Sequence, residues 1–473
     1  MRTVSGRICA LLCCCAAITA LSAGSADASA SFTWSVPELL GGETAGVARS
    51  VEEAARPQPT TILLDSCAQG ATWTLDGKSV APVSVGRCQL KLDLGDHWPH
   101  ELQMTVAGTP FEQTVQAHDL LIVSIGDSVA SGEGNPDVPS LVEPQWLETR
   151  CHRSMRSGAA QAADAIAASD PHSAVVFLPL ACSGASVREG LLGPYAGVQK
   201  DRRLGDLPPQ LEQVEALAHR RHIDAVLLSI GANDVDFGPL VRFCVVVSDC
   251  PQRRFDPHSS ALTEAGPGFA TAEAVHEAAQ RELGLHYQEV AERLKSIGIP
   301  AGKVVIVEYF DPTRDRHGEV CHELLPGITA DESEWAEQRV LEPLNDAVRA
   351  ASQRFGWKLV GGVSSAFRDH GICAGDGQSW VRGLVGSLGR GAGVSGPLHP
   401  NSVGHLVTAA LIAPVLASVV GVDPTAAVAE VRGAHDDEST AVAWWWVAVA
   451  AVGGLLVGVL LALIASKVLT ASS

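Results

Sequence analysis

The chain has 473 residues, of which 46% are hydrophobic and 18% charged, enough for two or three domains with sizeable cores. It carries 34 Lys and Arg against 53 Asp and Glu, a net charge of −19. An acidic surface of this kind repels phosphate backbones, which argues against nucleic acid as a partner.

Arg2 and Arg7 precede an apolar run from Ile8 to Leu21, and small residues follow up to Ala30. That succession is a secretory signal peptide over 1–30, with cleavage expected after Ala28 or Ala30. Cys9, Cys13, Cys14 and Cys15 leave with it, and eight cysteines remain. An even number in an exported chain points to disulfides. Sequence neighbourhood suggests Cys67–Cys88 and Cys244–Cys250, then Cys151–Cys182 with Cys321–Cys373. No CxxC pair or zinc spacing occurs, and no metal site is expected.

Residues 31–118 contain short stretches that alternate with period two, such as Thr72–Leu75, Gln89–Leu94 and Glu101–Val106. Asp76-Gly77 and Gly95-Asp96 supply turns between them. This predicts a small antiparallel β-sandwich. From 119 to 422 the pattern changes. Strand candidates are Leu120–Ile125, Ala174–Leu178, Ala225–Ile230, Lys303–Tyr309 and Trp357–Val360. Helix candidates are Gly158–Ala168, Pro209–His219, Ala272–Ser296, Glu332–Phe355 and Ser402–Val420. Such alternation predicts an α/β domain with a parallel sheet covered on both faces. A polar linker (423–440) follows. The stretch from Val442 to Ser466 has no charge, and its roughly 25 residues exceed a bilayer core of about 30 Å. Trp444, Trp445 and Trp446 sit at one end and Lys467 at the other, so a single transmembrane helix is expected over 441–467. The main domain then lies outside the membrane and 468–473 form a short cytoplasmic tail.

Four segments carry chemistry. Leu120–Ile125 ends in Gly126-Asp127-Ser128, which places Ser128 beyond the C-terminal end of a buried strand, where open α/β sheets bind ligands. Ala181-Cys182-Ser183-Gly184-Ala185 follows the second strand, Gly231-Ala232-Asn233-Asp234 the third, and His399-Pro400-Asn401-Ser402 opens the last helix. A serine hydroxyl needs a base to take its proton, and histidine titrates in the useful range. An oxyanion needs preorganised donors. The backbone N–H groups of Ser128 and Gly184 and the side-chain amide of Asn233 are candidates for that task.

In these motifs the chain resembles the SGNH, or GDSL, hydrolase superfamily of esterases and lipases. Ser128, Gly184, Asn233 and His399 match its four named residues in order, across about 119–422. Cys-His-Arg-Ser (151–154), Ala-Cys-Ser-Gly-Ala (181–185), Gly-Ala-Asn-Asp-Val (231–235) and His-Gly-Ile-Cys (370–373) are similar to the secreted actinobacterial branch. The resemblance implies a flavodoxin-like three-layer α/β/α fold, ester hydrolysis through an acyl-enzyme, and disulfides 151–182, 244–250 and 321–373. It implies no cofactor. Family members often place Asp three residues before the base histidine, whereas Gly396 stands there in this chain. The carbonyl of Gly396 is therefore the expected histidine orienter in a Ser–His dyad, with Asp369 or Asp376 as the alternative acid. Asp127, Asp234 and His405 are expected to be structural, and Trp380 either lines an acyl pocket or packs. The substrate expected is a lipid, a phospholipid or an acylated envelope glycan. The alternative function is a catalytically silent cell-surface binding module on the same fold.

Overall fold

The computed structural model describes residues 31–37, 46–140, 143–199, 203, 205–259, 261, 263–375, 377–383, 396–427 and 429. The expected signal peptide, membrane helix and tail, most of the linker, and Asp376 lie outside the described residues.

The N-terminal strands are β1 (Thr33–Ser35), β2 (Gly46–Val47), β3 (Thr61–Asp65), β4 (Thr72–Leu75), β5 (Lys78–Val80), β6 (Val83–Gly86), β7 (Gln89–Asp93), β8 (His100–Val106) and β9 (Thr109–Val115). They build two antiparallel sheets, ordered β1-β3-β7-β6 and β5-β4-β8-β9. Period-two alternation turns Leu102 and Met104 inward and Glu101 outward along β8. These residues meet Phe32, Ile62, Leu64, Trp73 and Leu92 in one apolar core. The sandwich expected from the sequence is present in this form. One strand departs from it. β2 pairs in parallel with the main sheet, Val176 opposite Gly46, and the short helix α1 (Val51–Ala54) packs beside the helix at 210–218. Two residues are too few to show a period, so this excursion left no signal in the pattern.

The main region runs β10 (His118–Gly126), α2 (Ser128–Ser131), α3 (Gly158–Ser169), β11 (Ser173–Pro179), α4 (Gln210–Ala218), β12 (Ala225–Ser229), α5 (Phe237–Val246), α6 (Ala272–Ile297), β13 (Val304–Val307), α7 (Ala330–Trp335), α8 (Glu342–Phe355), β14 (Lys358–Val360), α9 (Val363–Ala366) and α10 (Ser402–Val420). Its sheet is parallel and ordered β14-β13-β12-β10-β11-β2. Without β2 this is the flavodoxin-like order, whose switch point lies between β10 and β12. β10 is buried from Leu120 to Gly126, because helices cover both faces. Helices α3 and α10 pack together on one face, while α4, α6 and α8 form a contiguous row on the other.

The helix expected over Glu332–Phe355 is interrupted. Residues Ala336–Leu341 are π-helical, between α7 and α8. Pro343, in the first turn of α8, has no N–H to offer the carbonyl four residues back, and the wider turn accommodates that loss. Among the described residues, Ser402–Val420 has the length and composition to cross a membrane, but about half of it is buried against the domain core.

Candidate active site

Chain direction and hydrogen bonding bring the four segments to one end of the sheet. At the end of β10, Asp127 N–H donates to Ser229 O at 2.9 Å, and Cys182 N–H donates to Gly126 O at 3.0 Å. The loops after β10, β11 and β12 are thereby tied side by side. Asp127 caps α2, accepting Val129 N–H at 3.0 Å, so Ser128 stands at the first turn.

His399 Nε2 lies 2.8 Å from Ser128 Oγ. Its Nδ1 faces the Pro397 carbonyl at 3.1 Å. A carbonyl only accepts, so Nδ1 carries the proton and the Nε2 lone pair is turned to the serine hydroxyl. This corrects the expected orienter. The Gly396 carbonyl accepts the backbone N–H of His399 at 3.1 Å, and the ring bonds to Pro397 instead. The tight turn explains the difference, because an oxygen committed to closing it does not face the ring. Leu398 takes φ +60° in this turn, a conformation costly for a branched side chain. It is held by Leu398 N–H to Arg382 O at 2.8 Å and Arg382 N–H to His399 O at 2.8 Å. Asp369, the alternative acid, is exposed beside Gly318.

Gly184 is exposed with φ +83°, and its N–H meets no acceptor among the described residues; the same is true of Ser128 N–H. Asn233 donates one amide proton to Ala185 O at 2.9 Å, which joins its loop to that of Gly184 and leaves the second proton.

Behind these groups lies a buried polar layer. Glu133 is fully buried, and its carboxylate accepts from His152 Nδ1 at 2.7 Å and Ser183 Oγ at 2.6 Å. Burial opposes its charge, but these bonds and the neighbouring histidines hold its pKa below the usual range. Trp146 stacks on His152 at 4.5 Å. His405 accepts Gly158 N–H at 3.2 Å and donates Nε2–H to Glu133 O at 3.0 Å, and burial pushes its pKa down to about 4. Burial likewise pushes Asp127 up to about 7, although Tyr309 donates to it at 2.5 Å. Asp234 accepts Val187 N–H at 3.0 Å and lies 3.0 Å from His286 Nδ1. These groups hold loops, as expected for Asp127, Asp234 and His405.

An apolar pocket with a cavity volume of about 80 Å³ opens at Ser128 and His399. Phe237, Leu240, Val241, Phe310, Leu324 and Trp335 form much of its wall. Sequence reasoning missed it, although the run from Phe237 to Val246 is apolar enough to have marked a surface turned to something other than water. Trp380 is not part of that wall; it stacks on His370 at 3.7 Å and meets Phe367 edge-on. The four disulfides are those expected: Cys67–Cys88, Cys151–Cys182, Cys244–Cys250 and Cys321–Cys373.

Among solved structures, a family two carbohydrate esterase from Clostridium thermocellum is 14% identical, covering 77% of this chain and 90% of its own, with a TM-score of 0.29. A carbohydrate acetylesterase from Xanthomonas citri is 13% identical over 82% of this chain and 75% of its own, with a TM-score of 0.28. No curated protein sequence matches the chain. The family model for GDSL-like lipases and acylhydrolases matches residues 124–407. That span contains Ser128, Gly184, Asn233 and His399, and the chain belongs to the GDSL-like lipase/acylhydrolase family.

Proposed function

We propose that the chain is a membrane-anchored, outward-facing serine ester hydrolase acting on esters with extended apolar acyl groups. The observation that carries this reading is the 2.8 Å contact of Ser128 Oγ with His399 Nε2 at the mouth of an apolar pocket. Ser128 Oγ attacks the ester carbonyl as His399 takes its proton. The N–H groups of Ser128 and Gly184 and the Asn233 amide receive the negative oxygen. The leaving alcohol takes the proton back from His399. Water, deprotonated by the same ring, then attacks the acyl-enzyme and frees the acid and Ser128. With the Nδ1 proton given to Pro397 O, the pair works as a dyad. Lipid and phospholipid acyl chains bury more apolar surface against this wall than acetyl groups do. The outward orientation is supported by the apolar termini and by four disulfides, which persist in oxidising compartments.

A fluorophosphonate probe and a panel of esters graded by acyl length test this. The probe is expected to label wild-type protein and not Ser128→Ala, and kcat/KM to rise from acetate to longer chains. Folded wild-type protein that takes no label favours the silent binding module. Labelling with a preference for acetate rejects the acyl assignment alone.

A further inference from the structure

The chain contains three tyrosines, and each hydroxyl donates to a different loop of the candidate site. Tyr309 donates to Asp127 at 2.5 Å, beside the nucleophile. Tyr287 donates to Ile230 O at 2.7 Å, just before Gly231-Ala232-Asn233. Tyr195 donates to Ser183 O at 3.1 Å, and Ser183 O belongs to the peptide whose N–H is that of Gly184.

We propose that Tyr195 is a positioning residue for the oxyanion hole: its hydroxyl, by holding the Ser183 carbonyl, aims the Gly184 N–H. The proposal rests on the esterase reading above. A trans peptide is planar, with C=O and N–H pointing in opposite directions, so fixing one end fixes the other. Ser183 is held at its other polar groups as well. Its N–H donates to Cys151 O at 3.0 Å and its hydroxyl to Glu133 at 2.6 Å. Two grips come from Glu133 and Cys151, which precede β11, and the third from Tyr195, twelve residues farther along the same connection, whereas the Gly184 N–H beyond them bonds to nothing among the described residues. A donor left open on a tightly held peptide is the arrangement that stabilises a developing charge without reorganisation. The same contact accounts for the glycine. A Cβ on Gly184 would stand 2.4 Å from the Tyr195 oxygen, at φ +83°. Burial pushes the Tyr195 pKa up to about 12, so the hydroxyl keeps its proton.

Tyr195→Phe removes the grip and retains the ring. It is expected to lower kcat roughly 10- to 100-fold, less than or comparable to deleting an oxyanion donor, with KM and Tm nearly unchanged. The affinity of a boronic acid, whose adduct with Ser128 mimics the tetrahedral state, is expected to fall by the same factor. Ser183→Ala, which releases the grip of Glu133, provides the same comparison if the first variant does not fold. Unchanged kcat in a folded variant overturns the proposal. So does a fall in kcat with boronate affinity intact, which marks a general structural role. Wild-type protein that hydrolyses no ester overturns the esterase reading and this inference together.

Discussion

At the scale of the residue, the site is built from groups whose protonation is fixed by burial. Asp127 shows the consequence for stability. Its pKa is raised from 3.8 to about 7 in the folded chain, chiefly by desolvation. A raised folded pKa means that the fold prefers the protonated acid. The contribution is full below the unfolded value and is lost as pH rises through about 7. The loss is at most about 4 kcal/mol, at about 1.36 kcal/mol per unit. His405 works in the opposite sense, since its pKa falls from 6.5 to about 4 and its contribution is lost as pH falls through that range. The two trends offset each other in the wild-type protein. Asp127→Asn keeps a cap for Val129 N–H and cannot ionise. Its Tm relative to wild type is therefore expected to rise between pH 4 and pH 7. Melting curves at several pH values check this, and parallel profiles would show that Asp127 does not titrate in this way.

At the scale of the element, loops are placed by a few buried charges on helices and strands. Arg221, just past α4, donates to Ala54 O at 2.7 Å and pairs with Asp119 on β10. It therefore ties α1, α4 and the central strand together, and through α1 it secures β2 at the sheet edge. Its side chain is 7% exposed and that of Asp119 is 16% exposed. Arg221→Ala leaves a nearly buried carboxylate unpaired, which costs about 3–5 kcal/mol. Denaturant unfolding of the two proteins measures the difference, and a loss under about 1 kcal/mol would place the pair among weak surface bridges. This staple was not visible in the sequence. Five strands were legible as continuous apolar runs of strand length, and the helices at 158, 210, 272 and 402 as the longer segments that follow them. Ser128 and His399 were legible because strand ends and a helix start mark them. Arg221, Tyr195 and the Pro397 carbonyl were not, because their roles depend on distant partners or on the path of one turn. The π segment 336–341 was hidden for a similar reason, since its residues look like the helix on either side.

At the scale of the whole molecule, several links among the described residues join the β-sandwich to the α/β region, besides the β2–α1 excursion. β9 runs almost directly into β10, Trp34 stacks on His172 at 3.9 Å, and Val36 N–H donates to Pro171 O at 2.7 Å. The disulfides divide between the two regions. Cys67 is exposed and Cys88 half-buried in the sandwich, far in sequence from any proposed catalytic loop. Cys151 and Cys182 are 0% and 3% exposed, and they join the Cys-His-Arg-Ser segment to the loop that carries Gly184. Thiol–disulfide exchange requires a thiolate to reach a sulfur, so accessibility sets the order of reduction in the folded protein. A mild dithiol is therefore expected to open Cys67–Cys88 first, with the proposed ester turnover retained. Turnover is expected to fall only as Cys151–Cys182 opens, because the Ser183 N–H then loses its fixed partner on Cys151 O. Alkylation of the freed thiols, mapped by mass spectrometry against residual activity, follows both events. Activity that declines in step with Cys67 and Cys88 would instead mean that the sandwich supports the active conformation across the junction.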